Sequence, residues 1–157
     1  MPVDEQVRKT LRVPAELPPV AKLLGMDLAS VGAGIATFTL VADERHHNPM
    51  GSVHGGILAD LADAAMGFAV ISTLAKDETF TTVEMKVDFI RPVFSGKLRC
   101  LARVVNRGRT LAFAEAEIEN KEGKIVAKAT STNMVLKRAG DADPFHHRLR
   151  HREGHDG

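Results

Sequence analysis

The chain has 157 residues, 44% of them hydrophobic and 26% charged, the proportions of one soluble globular domain with a single core. Lys and Arg number 21 against 20 Asp and Glu, and Trp and Tyr are absent, so bulk attraction to nucleic acid or to an anionic membrane is excluded, as is a base-stacking surface. The single cysteine, Cys100, rules out an internal disulfide and reads as a buried structural thiol.

In chain order, residues 1–16 (MPVDEQVRKTLRVPAE) are a charged lead-in without the apolar centre of a signal peptide. Pro18-Pro19 opens a short helical segment, VAKLLGM, that ends near Gly25. Asp27–Val31 and Ile35–Ala42 read as strands around the turn glycines Gly32 and Gly34. Gly56 to about Leu74 is the one long helix; its apolar residues surround most of the cylinder, which predicts burial on nearly every side, with Gly67 suggesting close packing. In TFTTVEMKVDFIRP the residues Val83, Met85, Val87 and Phe89 alternate with polar ones, the period of a half-buried strand stopped by Arg91-Pro92. Strands are predicted over Lys97–Asn106, Thr110–Asn120 and Lys124–Leu136, joined by turns at Arg107-Gly108-Arg109 and Lys121-Glu122-Gly123.

Short connections make such strands antiparallel, and a lone apolar helix must be covered by them. The fold class is therefore α+β: a curved antiparallel sheet wrapped around one long central helix. A mobile lead-in is expected over residues 1–18, the domain over 19–137, and a disordered His-rich tail over 138–157. The longest apolar run, around Ala64–Ile71, falls short of the ~20 residues of a membrane span, so a cytoplasmic protein with no membrane or nucleic-acid partner is expected.

The chemistry concentrates in HHNPMGSVHGG, which leads into the long helix, and in two acids inside that helix. The first N–H groups of a helix lack internal partners and carry the positive end of its dipole. Glycine at Gly55 and Gly56 would let a carbonyl oxygen reach that backbone, where a developing oxyanion is stabilised. HGG is also what a tight loop-to-helix turn needs. Asp60 lies early enough for the dipole to favour it, whereas Asp63, a turn further in, needs hydrogen-bond partners, a raised pKa or a catalytic use. Gly55 and Asp63 are eight residues apart, about 12 Å of helix, too far for one small reacting centre to touch both within a chain. Antiparallel helices of two subunits would set Gly55 of one against Asp63 of the other in a twofold homodimer. His46, His47 and His54 offer no second ligand cluster at zinc spacing, so no metal is expected.

The run Asn48-x-x-Gly51-x-x-His54-Gly55-Gly56, with Asp63 eight residues after Gly55, resembles the PaaI-like acyl-CoA thioesterases of the hotdog fold, within the 4-hydroxybenzoyl-CoA thioesterase superfamily. The resemblance continues through VEMKVDFIRPVFSGKL and RVVNRGRTLAFAEAEIENKEGKIVAKATST and covers about residues 20–136. It implies hydrolysis of acyl-CoA thioesters without a cofactor. Gly55 would bind the thioester oxygen, and Asp63, supplied across a dimer interface, would be the catalytic carboxylate. Asn48 would position water or thioester, His54 would support the site, and Thr82 would be a hydroxyl near the carboxylate. Asn106, Arg107, Gly108 and Arg109 fall where such enzymes hold coenzyme A, and a homotetramer is implied.

An acyl pocket between helices and sheets is expected to include Leu58, Met66 and Phe89. Whether Asp63 acts as general base or as nucleophile is left open by the sequence. The alternatives are a hotdog hydratase or dehydratase using a His–acid pair, and a non-catalytic acyl-CoA-binding protein.

Overall fold

The computed structural model describes residues 13–138. Of the expected flanks, residues 1–12 and 139–157 lie outside the described residues. The end of the lead-in belongs to the core: Val13 is buried and Leu17 packs against it. Helix α1 (Pro19–Leu24) has proline at its first position, where no helical hydrogen bond is lost, and closes on Gly25 at φ 77°. Strands β1 (Met26–Gly32) and β2 (Ile35–Ala42) follow as a hairpin. A 3-10 turn over Glu44–His46 leads through the glycine-bearing loop to helix α2 (Gly55–Ile71). After it come β3 (Glu78–Phe89), β4 (Gly96–Arg107), β5 (Leu111–Glu119) and β6 (Ile125–Lys137).

The six strands form one antiparallel sheet in the order β1-β2-β4-β5-β6-β3. Helix α2 carries the chain from β2 to the far edge, and residues 90–95 bring it back to pair β4 with β2. The helix lies chiefly across β2, β4 and β5. It can approach closely because much of the inward face is alanine: Ala36, Ala102, Ala112 and Ala114 are fully buried. Larger side chains fill the remaining space, with Phe38 of β2 meeting Phe68 of α2 edge-on at 5.0 Å and 76°. Cys100 is buried on β4, as expected, and burial pushes its thiol up to about 12.

Three sequence expectations need correction. Helix α2 is not covered on every side: Gly56, Asp60, Asp63 and Gly67, at helical spacing, form a stripe that the sheet leaves exposed or half-exposed. Gly67 is not demanded by packing inside the protomer, since an added methyl would meet Phe80 at an ordinary 3.6 Å. The apolar set of β3 is only half-covered: Met85 and Val87 are partly buried, but Val83 and Phe89 are 52% and 58% exposed. Val83 falls at the register shift between Thr82 and Glu84, which takes it out of the alternation, and Phe89 is the last residue of an edge strand.

The Phe38–Phe68 contact fastens helix to sheet, and Phe38 is fully buried. Phe38→Ala is expected to lower unfolding stability by about 3–5 kcal/mol, measured by urea denaturation at unchanged m-value. A loss below about 1 kcal/mol would show that the cavity collapses and that the pair is not the fastening.

Candidate active site

The loop before α2 is held by its own polar groups. Asn48 accepts through Oδ1 from the N–H of Met50 (2.9 Å) and of Ser52 (3.2 Å), and its Nδ2 donates to Ser52 Oγ at 3.0 Å. The loop is tied to the crossover between β3 and β4. Val53 N–H donates to Val93 O at 2.7 Å, and the His47 ring bonds Phe94 O at 2.6 Å. His46 is buried and joins Leu24 O at 2.9 Å and Asp43 N–H at 3.1 Å.

His54 is the N-cap of α2. Its Nδ1 accepts from Gly56 N–H at 2.9 Å, and its carbonyl accepts from Ile57 N–H at 2.9 Å. A ring nitrogen that accepts keeps its lone pair, so the neutral ring carries its proton on Nε2. Among the described residues no acceptor is recorded for the N–H of Gly55, which leaves one donor at the positive end of the helix open.

Neither glycine has positive φ, and space around both is tight. A Cβ on Gly56 would stand 3.0 Å from His54 Nδ1 and press on the capping bond. A Cβ on Gly55 would stand 3.0 Å from Phe89 Cζ. The Phe89 ring thus leans on the first residue of the helix, held by the last rung of β3 (Phe89 opposite Ala127) and by the bond from Ile90 N–H to Val126 O at 2.8 Å.

Gly55 opens into a cleft of about 350 Å³ lined by Ser52, Val53, Leu58 and the run Phe89–Val93. Most of this wall is apolar. Its one charged member, Arg91, donates to Ile125 O at 2.5 Å. Of the expected acyl-pocket residues, Leu58 and Phe89 line the cleft; Met66 does not, being enclosed in the core at 1% exposure. Met66 lies about a quarter-turn around the helix from the open stripe.

Neither Asp60 nor Asp63 lines this cleft. Asp63 is at the protomer surface, on the open stripe, so the expectation of a carboxylate inside a covered helix is corrected. The surrounding protein still displaces enough water to raise its carboxyl above the usual value, and the charge of Asp60 adds to this; the half-buried Asp60 is itself raised by desolvation. No hydrogen bond or ion pair is recorded for either among the described residues, and α2 contains no Lys, Arg or His. The protomer therefore separates the open donor from the acid.

Thr82, exposed itself but on the same face of β3 as its cross-strand partner Asn133, donates from its hydroxyl to Oδ1 of Asn133 at 3.1 Å. Asn133 is buried, and its Nδ2 reaches Ser131 Oγ (3.0 Å) and Ala112 O (3.3 Å). Sequence reading passed over Asn133 and Ser131. The usable signal was polarity at inward positions of β6, where the flanking Ala129 and Val135 are buried.

The four residues expected to hold coenzyme A divide. Arg107 is the last residue of β4, not a turn residue, and its guanidinium meets the carboxylate of Glu78 at 2.5 Å and its neighbour's carbonyl, Gly108 O. Glu78 also accepts from Ala75 N–H at 2.8 Å; that bond and then Arg107 hold its carboxyl below the usual range against the effect of burial. Arg107 is thus an internal clasp between β3 and β4. Asn106 and Arg109 are exposed, and no ion pair is recorded for Arg109 among the described residues. Gly108 donates its N–H to Leu111 O at 2.8 Å and closes the turn.

Residues 50–127 match the family model described as the thioesterase superfamily. The acyl-coenzyme A thioesterase PaaI of Escherichia coli is 37% identical over 109 residues, 68% of this chain and 75% of that protein. Its solved structure, aligned over 85% of this chain and 97% of the other at 29% identity, has a TM-score of 0.75. Mouse acyl-coenzyme A thioesterase 13 is 27% identical over 85% of this chain and 96% of its own length. A conserved protein of Pseudomonas aeruginosa has a TM-score of 0.74 at 36% identity, covering 78% of this chain and all of the other. Among the described residues no helix is long and apolar enough to cross a membrane.

A carboxyl raised on folding binds its proton more tightly in the folded chain, so ionisation opposes folding. The penalty is absent below the unfolded value, near 3.8 for Asp63, and grows as pH rises from there through the folded value. Asp63→Asn is therefore expected to melt at a higher temperature than the parent at neutral pH, with the difference vanishing at acid pH. Equal midpoints at both would mean that the carboxyl is fully solvated.

Proposed function

Because the chain belongs to the thioesterase superfamily and is a thioester hydrolase of the hotdog fold, we propose that it cleaves acyl-CoA thioesters to the free acid and coenzyme A at sites formed between two copies of the chain. The observation that carries the proposal is that Gly55, whose N–H has no recorded acceptor among the described residues, stands at the head of α2 and lines a largely apolar cleft. A thioester oxygen accepting from that N–H would be polarised by the helix end, and the tetrahedral oxyanion would be held there, where the charge develops. Collapse of the intermediate expels the coenzyme A thiolate. The acyl group would lie along Leu58 and Phe89.

Asp63 is the carboxylate proposed for the attack, supplied by the neighbouring subunit. Either it takes a proton from a water that adds to the carbonyl, or it adds itself and the resulting anhydride is hydrolysed. Its raised proton affinity suits both roles. Three features favour a partner as its source. Gly55 and Asp63 are separated by about 12 Å of one helix; the open stripe of α2 carries Asp63 outward; and β3 offers a free edge beside the exposed Val83 and Phe89. Two antiparallel helices meeting along that stripe would bring each acid to the other's helix start. The homotetramer would join two such dimers. Asn48 shapes the loop and keeps a second Nδ2 hydrogen for a water, Thr82 has lone pairs to do likewise, and His54 supports by capping.

Asp63→Asn is expected to lower thiol release from a panel of acyl-CoAs by about a thousandfold or more, while the dimer and acyl-CoA binding persist. Parent-like rates in this variant, or full activity from a monomer, would overturn the site; absence of thiol release by the parent with tight binding would favour the acyl-CoA-binding alternative. For the coenzyme A moiety, Arg109→Ala is expected to raise KM about three- to tenfold at unchanged kcat. Arg107→Ala should instead lower the melting temperature, since Arg107 is the partner of Glu78. An unchanged KM for Arg109→Ala would move the phosphate site elsewhere.

A further inference from the structure

We propose that Asp60 is a positioning residue for the same reaction, which keeps the carboxylate of Asp63 a stronger base from one helical turn away on the open stripe of α2. The inference rests on the proposed role of Asp63 and adds a residue to it. Residues three apart on a helix are neighbours, about 5–6 Å between Cβ atoms. Asp60 and Asp63 stand in that relation with no cation on the helix and no recorded hydrogen-bond or ion-pair partner among the described residues. Asp60 lies beyond the first turn, where the dipole's favour to a carboxylate has faded. The fold therefore carries a like-charge pair that it does nothing to relieve.

Among the described residues, Asp60 is the one charge that acts on Asp63. The side chains of β3 that share the face turned toward the helix, Phe80, Thr82, Met85, Val87 and Phe89, are uncharged. His54, at the helix start, spends Nδ1 on Gly56. Burial raises Asp63 first and Asp60 second, with no other charged group contributing. The dimer geometry sharpens the relation. Setting Gly55 against the partner's Asp63 puts Ala59 of both chains on the twofold axis, so the two Asp60 side chains flank that axis between the two sites. Each Asp63 then has its own Asp60 behind it and the partner's helix start before it: a repulsive charge on one side and the substrate oxygen's donor on the other. A carboxylate with higher proton affinity takes a proton from water more effectively, and adds to a carbonyl more effectively as well.

The test compares pH profiles of kcat/KM for the full chain, Asp60→Asn and Asp60→Glu, with Asp63→Asn alongside, in thiol release from one acyl-CoA. Two charges about 6 Å apart in water-like surroundings shift each other by about half a pH unit, and by more where water is excluded. Asp60→Asn is expected to move the acid limb down by that amount and to lower the plateau about twofold, so that the variant outperforms the parent at the acid end. Asp60→Glu should restore the limb. Melting temperature and oligomeric state verify folding, and Asp60→Ser provides the same reading should the Asn variant fail to assemble. An unmoved limb with Asp63→Asn inactive would overturn this inference and leave the catalytic reading standing. Loss of activity at every pH in Asp60→Asn would make Asp60 a group that touches the reacting atoms, and would overturn it too. An active Asp63→Asn would remove the catalytic reading itself.

Discussion

Everything in the site depends on how the first backbone donors of α2 are satisfied. A helix start has several N–H groups without internal partners, and a protein ordinarily closes all of them with caps or water. Here His54 takes two, one through its ring and one through its carbonyl, and the loop is bonded to the crossover at Val93 and Phe94. Among the described residues, the N–H of Gly55 is left over. Asn48 spends its side chain on the loop and so fixes the position of that donor. The helix can present the donor rigidly because alanines on β2, β4 and β5 let it sink onto the sheet.

The same burial has a complement. A sheet of this curvature covers one side of a helix, and the opposite side must be polar, exposed, or covered by something else. In α2 it is small and acidic, with glycines at both ends of the stripe and two carboxylates between them. Small residues admit close approach by another helix, and the free edge of β3 lies on the side where such a neighbour would extend the sheet. Charge repulsion and close approach are opposed demands placed on one surface, and they are compatible where the acids face a reaction instead of each other.

Much of this was legible in the sequence, for definable reasons. Strand periodicity and turn glycines gave every strand to within two or three residues, and HGG ahead of an alanine-rich run gave the helix and its start. The open stripe was not legible. An apolar count around the cylinder cannot separate a helix wrapped by its own sheet from one that also needs a neighbour, and alanine satisfies either. The exposure of Val83 and Phe89 was hidden too: alternation shows neither the register shift at Val83 nor whether the face that carries Phe89 has a lid. Arg107 looked like a free turn cation because its partner, Glu78, is 29 positions earlier, at the start of a strand that the sheet order separates from β4 by β5 and β6. Met66 was misassigned because helical position alone does not say which apolar residues face a cleft. The spacing of Gly55 and Asp63, by contrast, carried its own geometry, since eight residues of helix are a rigid ruler.

Cys100 has a consequence for the chemistry outside the protein. Each turnover of a thioester hydrolase liberates a thiol, and the disulfide such a thiol forms on oxidation exchanges with a protein cysteine only through the cysteine's thiolate. The Cys100 sulfur is sealed under α2, and its acidity is suppressed to about 12, so it offers neither access nor the reactive anion. A disulfide formed from released coenzyme A therefore finds no thiolate at Cys100 with which to exchange.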